Sequence, residues 1–483
     1  MANTVFVEKL KNAFSEMVVY KDLKKSNFFS AISLPSFMRD YLFKKFQNDE
    51  GEFDMEEMRD FIDTYLPRKE EWIKIKDRIM TDNERVKLLT RISVDIDIST
   101  QKTYFELPDF GLSKRQTIIT PGIWAEYREE LTAGQEVWGV VEIGYYPPNG
   151  DDKDGKIMLT SFKNFCPYTV DLEYYKDMRN EFTLDEWIDL ILGAIDYNAA
   201  GYAERKYKLS MIKRLLSFVE KRLNLIELAP KGTGKSYLFG RLSRFGYLLA
   251  GGTISRAKLF YDKAKRTQGI VFHNDFLGID EIQTVSCNDY GDMRSVLKTY
   301  MEDGVYRGDA WSGSSFAGIV LLGNIDKEEM DKYGNLFANL PVLFKESALL
   351  DRFHGFIEGW DIPRMNEELK ICGFALNSEY FTSIMHQLRE DFTYRGIVDY
   401  LVELPDTPAD TRDTEAVKRI ATGYLKLLFP NVRRPEDITP HDFNQYCLKP
   451  AVGMRKIVLY QIGQLDSEYR GKNMPKFSVK GMS

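Results

Sequence analysis

Apolar residues recur at three- and four-residue spacing in FSAISLPSFMRDYLFKKF and MEEMRDFIDTYLP, and a proline closes the second stretch at position 67. That spacing places them on one face of a helix, so residues 1–90 are predicted to be mostly helical. From about residue 91 the period changes to two. RISVDIDIST alternates apolar and polar positions, and TYFELP, QTIIT, EVWGVVEIGYY and KIMLTSF follow, separated by turns such as PPNGDDKDG. Short strands this close together predict a small barrel or sandwich over 91–175, with an OB-like barrel as one candidate.

A helical connector, EFTLDEWIDLILGAID, occupies 176–204. The helix LSMIKRLLSFVEKRL then places Ile212, Leu215, Leu216, Val219 and Leu223 on one stripe. From there strand-like and helix-like segments alternate to about residue 364, the pattern of a parallel α/β sheet. Residues 365–430 read as mostly helical, and 431–483 as a mixed, more polar extension. The chain contains no internal repeat and no low-complexity tract.

At 483 residues the chain is too long for one core, and about two to four domains are expected. A formal net charge of −7 excludes a surface that is basic throughout, so contacts with nucleic acid must be confined to particular faces. The four cysteines, Cys166, Cys287, Cys372 and Cys447, form no CxxC pair, and the four histidines are isolated. This excludes a recognisable zinc module and suggests a reducing compartment. With neither an N-terminal signal pattern nor a run of apolar residues long enough for a membrane span, a cytoplasmic protein without membrane contact is expected.

LNLIELAPKGTGKSY, residues 223–237, carries the first chemistry. A buried strand, a loop of converging backbone N–H groups and a helix N-terminus together cradle phosphate. The candidate nucleotide site comprises Ala229, Pro230, Lys231, Gly232, Thr233, Gly234, Lys235, Ser236 and Tyr237. Lys235 would reach the outer phosphates of ATP and the Ser236 hydroxyl would hold Mg2+. Ala229 stands where this motif usually begins with glycine. Pro230 already biases the preceding residue toward extended backbone, so no glycine is required there provided the methyl meets no neighbour.

FLGIDEI is an apolar strand ending in two acids. Asp280 is the candidate Mg2+ ligand, and Glu281 the carboxylate that polarises the attacking water. GIVLLGN ends in Asn324, which would orient that water or meet the γ-phosphate. SALLDRFHGFIEGW places Arg352 just before another strand, where a guanidinium would reach a neighbouring subunit's γ-phosphate. The order of cradle, acid pair, asparagine and arginine reads as an AAA+ ATPase, and an arginine acting in trans implies a ring.

The motifs IELAPKGTGKSY, GGTISRAKLFYD, FLGIDEI, LKTYMEDGVYRGD, GNID and RDTEAVKRIATGYLKLLFP, with TPGIWAEYREEL and EFTLDEWIDLILGAI upstream, resemble the BrxL family. These are Lon-like AAA+ proteins of BREX phage-defence systems, and the resemblance covers most of the chain. It implies an α/β AAA+ P-loop ATPase core with a helical lid, preceded by an N-terminal helical DNA-binding region and a small β-barrel. It also implies similarity to MCM helicases, a homo-hexamer or paired hexamers around duplex DNA, and other phage-defence proteins as partners. Arg412 is similar to a sensor-2 arginine of the lid, and Arg307, in VYRGD, to a pore-hairpin DNA contact. On sequence alone Arg307 reads equally as a solvated hairpin residue. Further candidate DNA contacts are Lys21, Lys24 and Lys25 near the start, and Lys74, Lys76 and Arg78 before the barrel. Taken singly, each cluster reads as a solvated face.

Full-length members of the family carry a C-terminal protease domain, for which the 53 residues after the lid are too few, so peptidase activity is not expected. Two alternatives stay open. One is a protein unfoldase gripping polypeptide through KLFYDKAKR, which equally reads as an amphipathic helix. The other is an ATP-gated clamp with little turnover.

Overall fold

The computed structural model describes residues 2–23, 34–46, 54–67, 71–132, 137–149, 154–164, 170–264, 266–404 and 410–482. The chain divides into two compact units, Leu42–Thr169, and Met1–Tyr41 together with Val170–Ser483. This division cuts across the domains expected at 1–90 and 91–175. The N-terminal helix α1 (Ala2–Phe14) and strand β1 (Val18–Asp22) belong to the larger unit.

In the smaller unit, α2 (Met55–Tyr65) begins at Asp54, whose carboxylate accepts from the N–H groups of Glu56 and Glu57 at 3.1 and 2.9 Å, satisfying two orphan donors. After α3 (Trp72–Thr81) come five strands: β2 (Val86–Asp97), β3 (Lys102–Glu106), β4 (Thr117–Ile118), β5 (Val137–Tyr146) and β6 (Lys156–Asn164). β2 starts five residues before the expected boundary at 91, because VKLLT also fits the pleat and pairs with β5, Val86 opposite Ile143. The strand order is β3-β2-β5-β6-β4. The two outer strands approach each other, with Ile119 N–H donating to the Thr103 carbonyl at 2.8 Å, so the sheet curls back on itself. Trp72, Ile75 and Ile79 of α3 join Leu88, Phe105, Val141 and Phe162 in its core.

In the larger unit, α4 (Leu184–Ala194) is opened by a reciprocal capping box between Thr183 and Glu186. In α5 (Arg205–Val219) the predicted stripe Ile212, Leu215, Leu216 and Val219 is fully buried. A parallel sheet follows, built from β7 (Leu225–Ala229), β8 (Gly246–Ala250), β9 (Phe276–Asp280), β12 (Gly318–Asn324) and β13 (Gly355–Glu358). α6 (Lys235–Arg241) follows β7. Between β9 and β12 lie α7 (Tyr290–Asp303) and a hairpin of β10 (Val305–Arg307) and β11 (Ser312–Ser314). The order is β13-β7-β12-β9-β8, with β7 second from one edge and flanked by the last two strands. Alternation between strand and helix is therefore legible in the sequence, and the sheet is parallel as expected.

β14 (Cys372–Leu376) then pairs antiparallel with β1, Val18 opposite Leu376, which no local pattern foretold. The longer helices that follow are α8 (Ser378–Glu390), α9 (Thr393–Leu401), α10 (Thr411–Leu428) and α11 (Lys449–Leu465). α11, in the expected polar extension, is largely buried and packs on β13 and α10. None of the described helices is long and apolar enough to cross a membrane.

Glu415 fastens α10 to α9. Its carboxylate takes a bidentate pair from Arg395, at 3.0 and 2.7 Å, and a third bond from Arg419 at 2.6 Å. Burial alone would raise the Glu415 pKa, but these two arginines override it and hold the group at about 2. An unfolded glutamate titrates near about 4.3. The stability from this clamp is therefore complete above about pH 4.3 and lost as the pH falls toward 2. In an acid-unfolding titration, Glu415→Gln is expected to lower stability at neutral pH and flatten that limb.

Candidate functional site

β7 is apolar except for Glu227, and Glu227 is fully buried. A carboxylate is stable there because Arg214 of α5, also fully buried, donates Nε to it at 3.0 Å. The same guanidinium reaches past the strand to the phosphate loop, where it donates to the Thr233 carbonyl at 2.7 Å and to Thr233 Oγ1 at 3.2 Å. Core and loop are thus held by one side chain. Gly232 and Gly234 adopt φ of 82° and 77°, curling the loop back toward α6. At Gly234 a Cβ would also stand 2.3 Å from the Tyr197 hydroxyl.

Ala229 is the last residue of β7, extended and buried, as Pro230 requires. Its methyl is accommodated because position 359 is glycine. A Cβ there would lie 2.3 Å from Ala229 Cβ and 2.7 Å from the Leu228 carbonyl. The missing glycine of the loop is matched by a glycine beyond the neighbouring strand.

At the C-terminal ends of the strands the expected groups come together. Lys235 Nζ donates to the carbonyls of Ala229 and Pro230, both at 3.2 Å, and to Asn324 Oδ1 at 3.1 Å. Asn324 stands opposite Ala229 in the register of β12 and β7. Burial pushes the Lys235 ammonium below its ordinary pKa, with Glu227 and Asp280 pulling the other way. Ser236 Oγ donates to Asp280, whose other oxygen accepts from the Glu281 N–H at 2.9 Å. Glu281 has φ of 47°, a turn that leaves its side chain exposed just past β9. Among the described residues no group of three His, Cys, Asp or Glu side chains could hold a metal by itself. Ser236 and Asp280 still suit Mg2+, which keeps several waters and shares substrate phosphates. Lys231 and Gly232 are exposed at the loop tip. Tyr237 points elsewhere, its hydroxyl bonding Asp196, Arg39 and Ser36, so the structure places its side chain in a polar network behind the loop.

Arg352 and Arg412 also come together, at the opposite end of the sheet. Asn224, just before β7, donates Nδ2 to the Arg352 carbonyl at 3.2 Å. Five strand residues at about 3.3 Å each separate this end from the phosphate loop, beyond the reach of an arginine side chain. Glu302 of α7 accepts from both guanidiniums, at 3.0 Å from Arg352 and 3.2 Å from Arg412. Asp351 holds Arg412 at 3.0 Å and is itself gripped by the buried Arg455 of α11. Glu302, Asp351 and Arg455 were not singled out from the sequence. Long-range ion pairs of this kind leave no local signal, whereas Glu227, a lone charge within an apolar strand, was a signal in plain sight.

The candidate DNA contacts fare unequally. Lys21 is fully buried, its ammonium bonded to Asp196 and Ser378 at 2.8 Å each and to the carbonyls of Gly193 and Ala194. It therefore cannot face DNA: a charge this enclosed is sustained only by such partners. Lys24 and Lys25 lie outside the described residues. Lys74 is exposed on α3, Lys76 lies 5.5 Å over the Trp72 ring, and Arg78 is paired with Glu84. Arg307 is exposed on the hairpin, 3.0 Å from Asp303. Among the described residues of KLFYDKAKR there is neither an amphipathic helix nor a projecting aromatic loop. A single helical turn, Arg256–Leu259, leads into a short hairpin, and Phe260 is buried and stacked 5.1 Å from Tyr306.

Comparison with known proteins bears on the same residues. A family model described as "Lon-like protease BrxL-like, ATPase domain" matches residues 157–475, about two thirds of the chain. The chain belongs to the BrxL family. A second model, "BREX system Lon protease-like protein BrxL N-terminal", matches residues 12–145. Among curated relatives, the Lon-like protease BrxL of Escherichia coli O9:H4 (strain HS) is 27% identical over 463 residues, 94% of this chain and 64% of the relative. The Lon-like protease BrxL of Bacillus cereus (strain H3081.97) is 25% identical over 430 residues, 88% of this chain and 62% of the relative. The chain thus spans less than two thirds of the length of these relatives. The matched ATPase domain contains the phosphate loop, the acid pair, Asn324 and both arginines.

The contact between residues 229 and 359 yields a direct test. Ala229→Gly is expected to leave stability and nucleotide binding close to wild type, since the backbone there is extended. Gly359→Ala is expected to lower the melting temperature by an overpacking penalty of about 1–3 kcal/mol and to weaken nucleotide binding. The double variant should recover only in part, because the Leu228 carbonyl remains in the way.

Proposed function

We propose that the chain hydrolyses ATP as a subunit of an AAA+ ring that encircles duplex DNA in BREX phage defence. The observation that carries this reading is the separation of the cradle from the arginine pair. Lys235, Ser236, Asp280 and Asn324 converge at one end of the sheet, and Arg352 and Arg412 at the other. A cradle without its own arginines is completed by those of a neighbour, and repetition of that contact by rotation closes a ring.

In this reading Lys235 and the loop N–H groups bind the phosphates. Ser236 and Asp280 hold Mg2+, which supplies charge neutralisation at the phosphate oxygens when bound. Exposed beside Asp280, Glu281 accepts a proton from the attacking water, and Asn324 orients that water. Arg352 and Arg412 of the neighbouring subunit stabilise the charge that develops on the leaving group. The parallel sheet and the helices after β14 correspond to the AAA+ core and its lid, and the curled five-stranded sheet to the OB-like domain. DNA would be met by Arg307 on the hairpin and by Lys74, Lys76 and Arg78 on α3. Action within the cytoplasm with other defence proteins belongs to the same proposal. Peptidolysis, named in the relatives, is not proposed for this chain. A polypeptide-gripping ring gains no support from KLFYDKAKR, because Phe260 is buried.

Mixing two inactive variants tests the ring. Lys235→Ala and Arg352→Ala are each expected to reduce ATP turnover by about 10^3-fold or more. Mixed, they should regain measurable turnover, since an intact cradle of one then meets an intact arginine of the other. Failure of every mixture to recover would remove the shared site. Glu281→Gln should bind ATP without turning it over, and phage defence surviving in that variant would favour a clamp over a motor. Duplex affinity should fall by orders of magnitude between low and moderate salt, and turnover should rise with duplex DNA.

A further inference from the structure

A second anion site lies on the larger unit, away from the phosphate cradle. A cavity of about 130 Å³ opens beside the turn that precedes β7, lined by Arg222, Lys221, Arg395 and Arg419, with Phe316 and Phe392 among its walls. Most of its cations have partners. Arg395 and Arg419 share Glu415, Lys221 reaches Glu390 at 2.6 Å, and Lys426 reaches Glu220 at 2.9 Å. Asp391, the other carboxylate of the lining, is taken by Lys176 at 2.7 Å.

Arg222 is the exception. Its Nε is shielded from solvent without a hydrogen-bond partner, as is Arg419 Nε, and among the described residues no carboxylate stands within ion-pair distance of its guanidinium. Its backbone is held in the left-handed region, φ 51°, with the N–H donating to the Phe316 carbonyl at 2.8 Å. A non-glycine residue in that conformation stores strain, which persists only where the surroundings impose it. Burial, with the neighbouring Arg419 charge, pushes the Arg222 guanidinium below its ordinary pKa, and the more distant carboxylates of Glu415 and Asp303 offset this only in part.

The rim narrows the class of ligand. Phe316 and Phe392 are 53% and 68% exposed, unusual for side chains of this size. Lys221 Nζ sits 4.3 Å from one ring centroid and 4.9 Å from the other. Aromatic faces bordering a cluster of guanidiniums suit a phosphate that carries a base or sugar.

We propose that this cavity binds a phosphate group of a nucleotide or polynucleotide, with Arg222 as its principal donor and Phe392 as a stacking surface. The proposal rests on the cavity alone and does not depend on the ring.

The test uses the full chain carrying Lys235→Ala, so that the cradle is silenced, and three probes: inorganic phosphate, ATP and a 20-bp duplex. Inorganic phosphate is expected to raise the melting temperature of this parent, and Arg222→Gly to abolish that rise. Glycine is at ease at φ 51°, so the variant should fold, and its melting temperature without ligand verifies this. If the phosphate comes from DNA, Arg222→Gly should weaken duplex binding about tenfold and reduce the salt slope by about one. If it comes from free nucleotide, ATP binding is lost and duplex binding is unchanged. Phe392→Ala, at an exposed position, should spare inorganic phosphate and weaken whichever larger probe binds. Binding of all three probes at parental strength by both variants would overturn the proposal. So would a glutamate-rich peptide displacing phosphate at equal or lower concentration.

Discussion

Arg214 and Glu227 form the contact on which the ATPase unit depends. Both are fully enclosed, and neither charge is tolerable there without the other. Replacing both with hydrocarbon would suit the core equally well, so stability alone does not account for the pair. What hydrocarbon would not do is donate to Thr233. The guanidinium converts the position of a core strand into the position of a loop backbone, and Lys235 inherits that position through the helix that follows. A loop of glycines is otherwise the least ordered part of such a sheet, because glycine loses the most conformational entropy on folding.

At the other end of the sheet, order is imposed by chains of charge. Arg455 holds Asp351, Asp351 holds Arg412, and Glu302 spans Arg412 and Arg352. Each guanidinium arrives with a carboxylate already attached. In the proposed ring a phosphate presented by a neighbour would compete with Glu302, and the exchange of one anion for another would leave the arginines charged and directed throughout. Half of Glu302 is exposed, so that exchange does not require the core to open.

Much of the α/β core was legible because its signals are local. Continuous apolar runs located β7, β9 and β12, a three-to-four-residue period located α5, and the chemistry at the strand ends followed from loop composition. What was illegible depends on residues far apart. The pairing of β1 with β14, the burial of Lys21 and the convergence on Glu302 are all contacts between distant segments. A lysine between polar neighbours looks solvated until its partners Asp196 and Ser378 are known. Tyr237 was assigned to the cradle by adjacency, yet a helix turns successive side chains by about 100°, which carried its ring to the far side. Ala229 shows a mixed case. Pro230 explained the backbone from the sequence, but the space for the methyl is supplied by Gly359, far along the chain.

The pairing of β1 with β14 bears on the order in which the molecule is made. Lys21 and Ser378 are 357 residues apart, so at synthesis rates of about 5–20 residues per second the first strand waits some 20–70 s for its partner. During that interval the Lys21 ammonium remains in water, and the Val18–Asp22 backbone lacks the neighbour with which it pairs in the finished unit. The N-terminal arm is thus among the first segments to leave the ribosome, yet it is seated only once residues 372–378 have followed. Until residues 372–376 have been made, the arm is a strand without the neighbour it has in the finished unit.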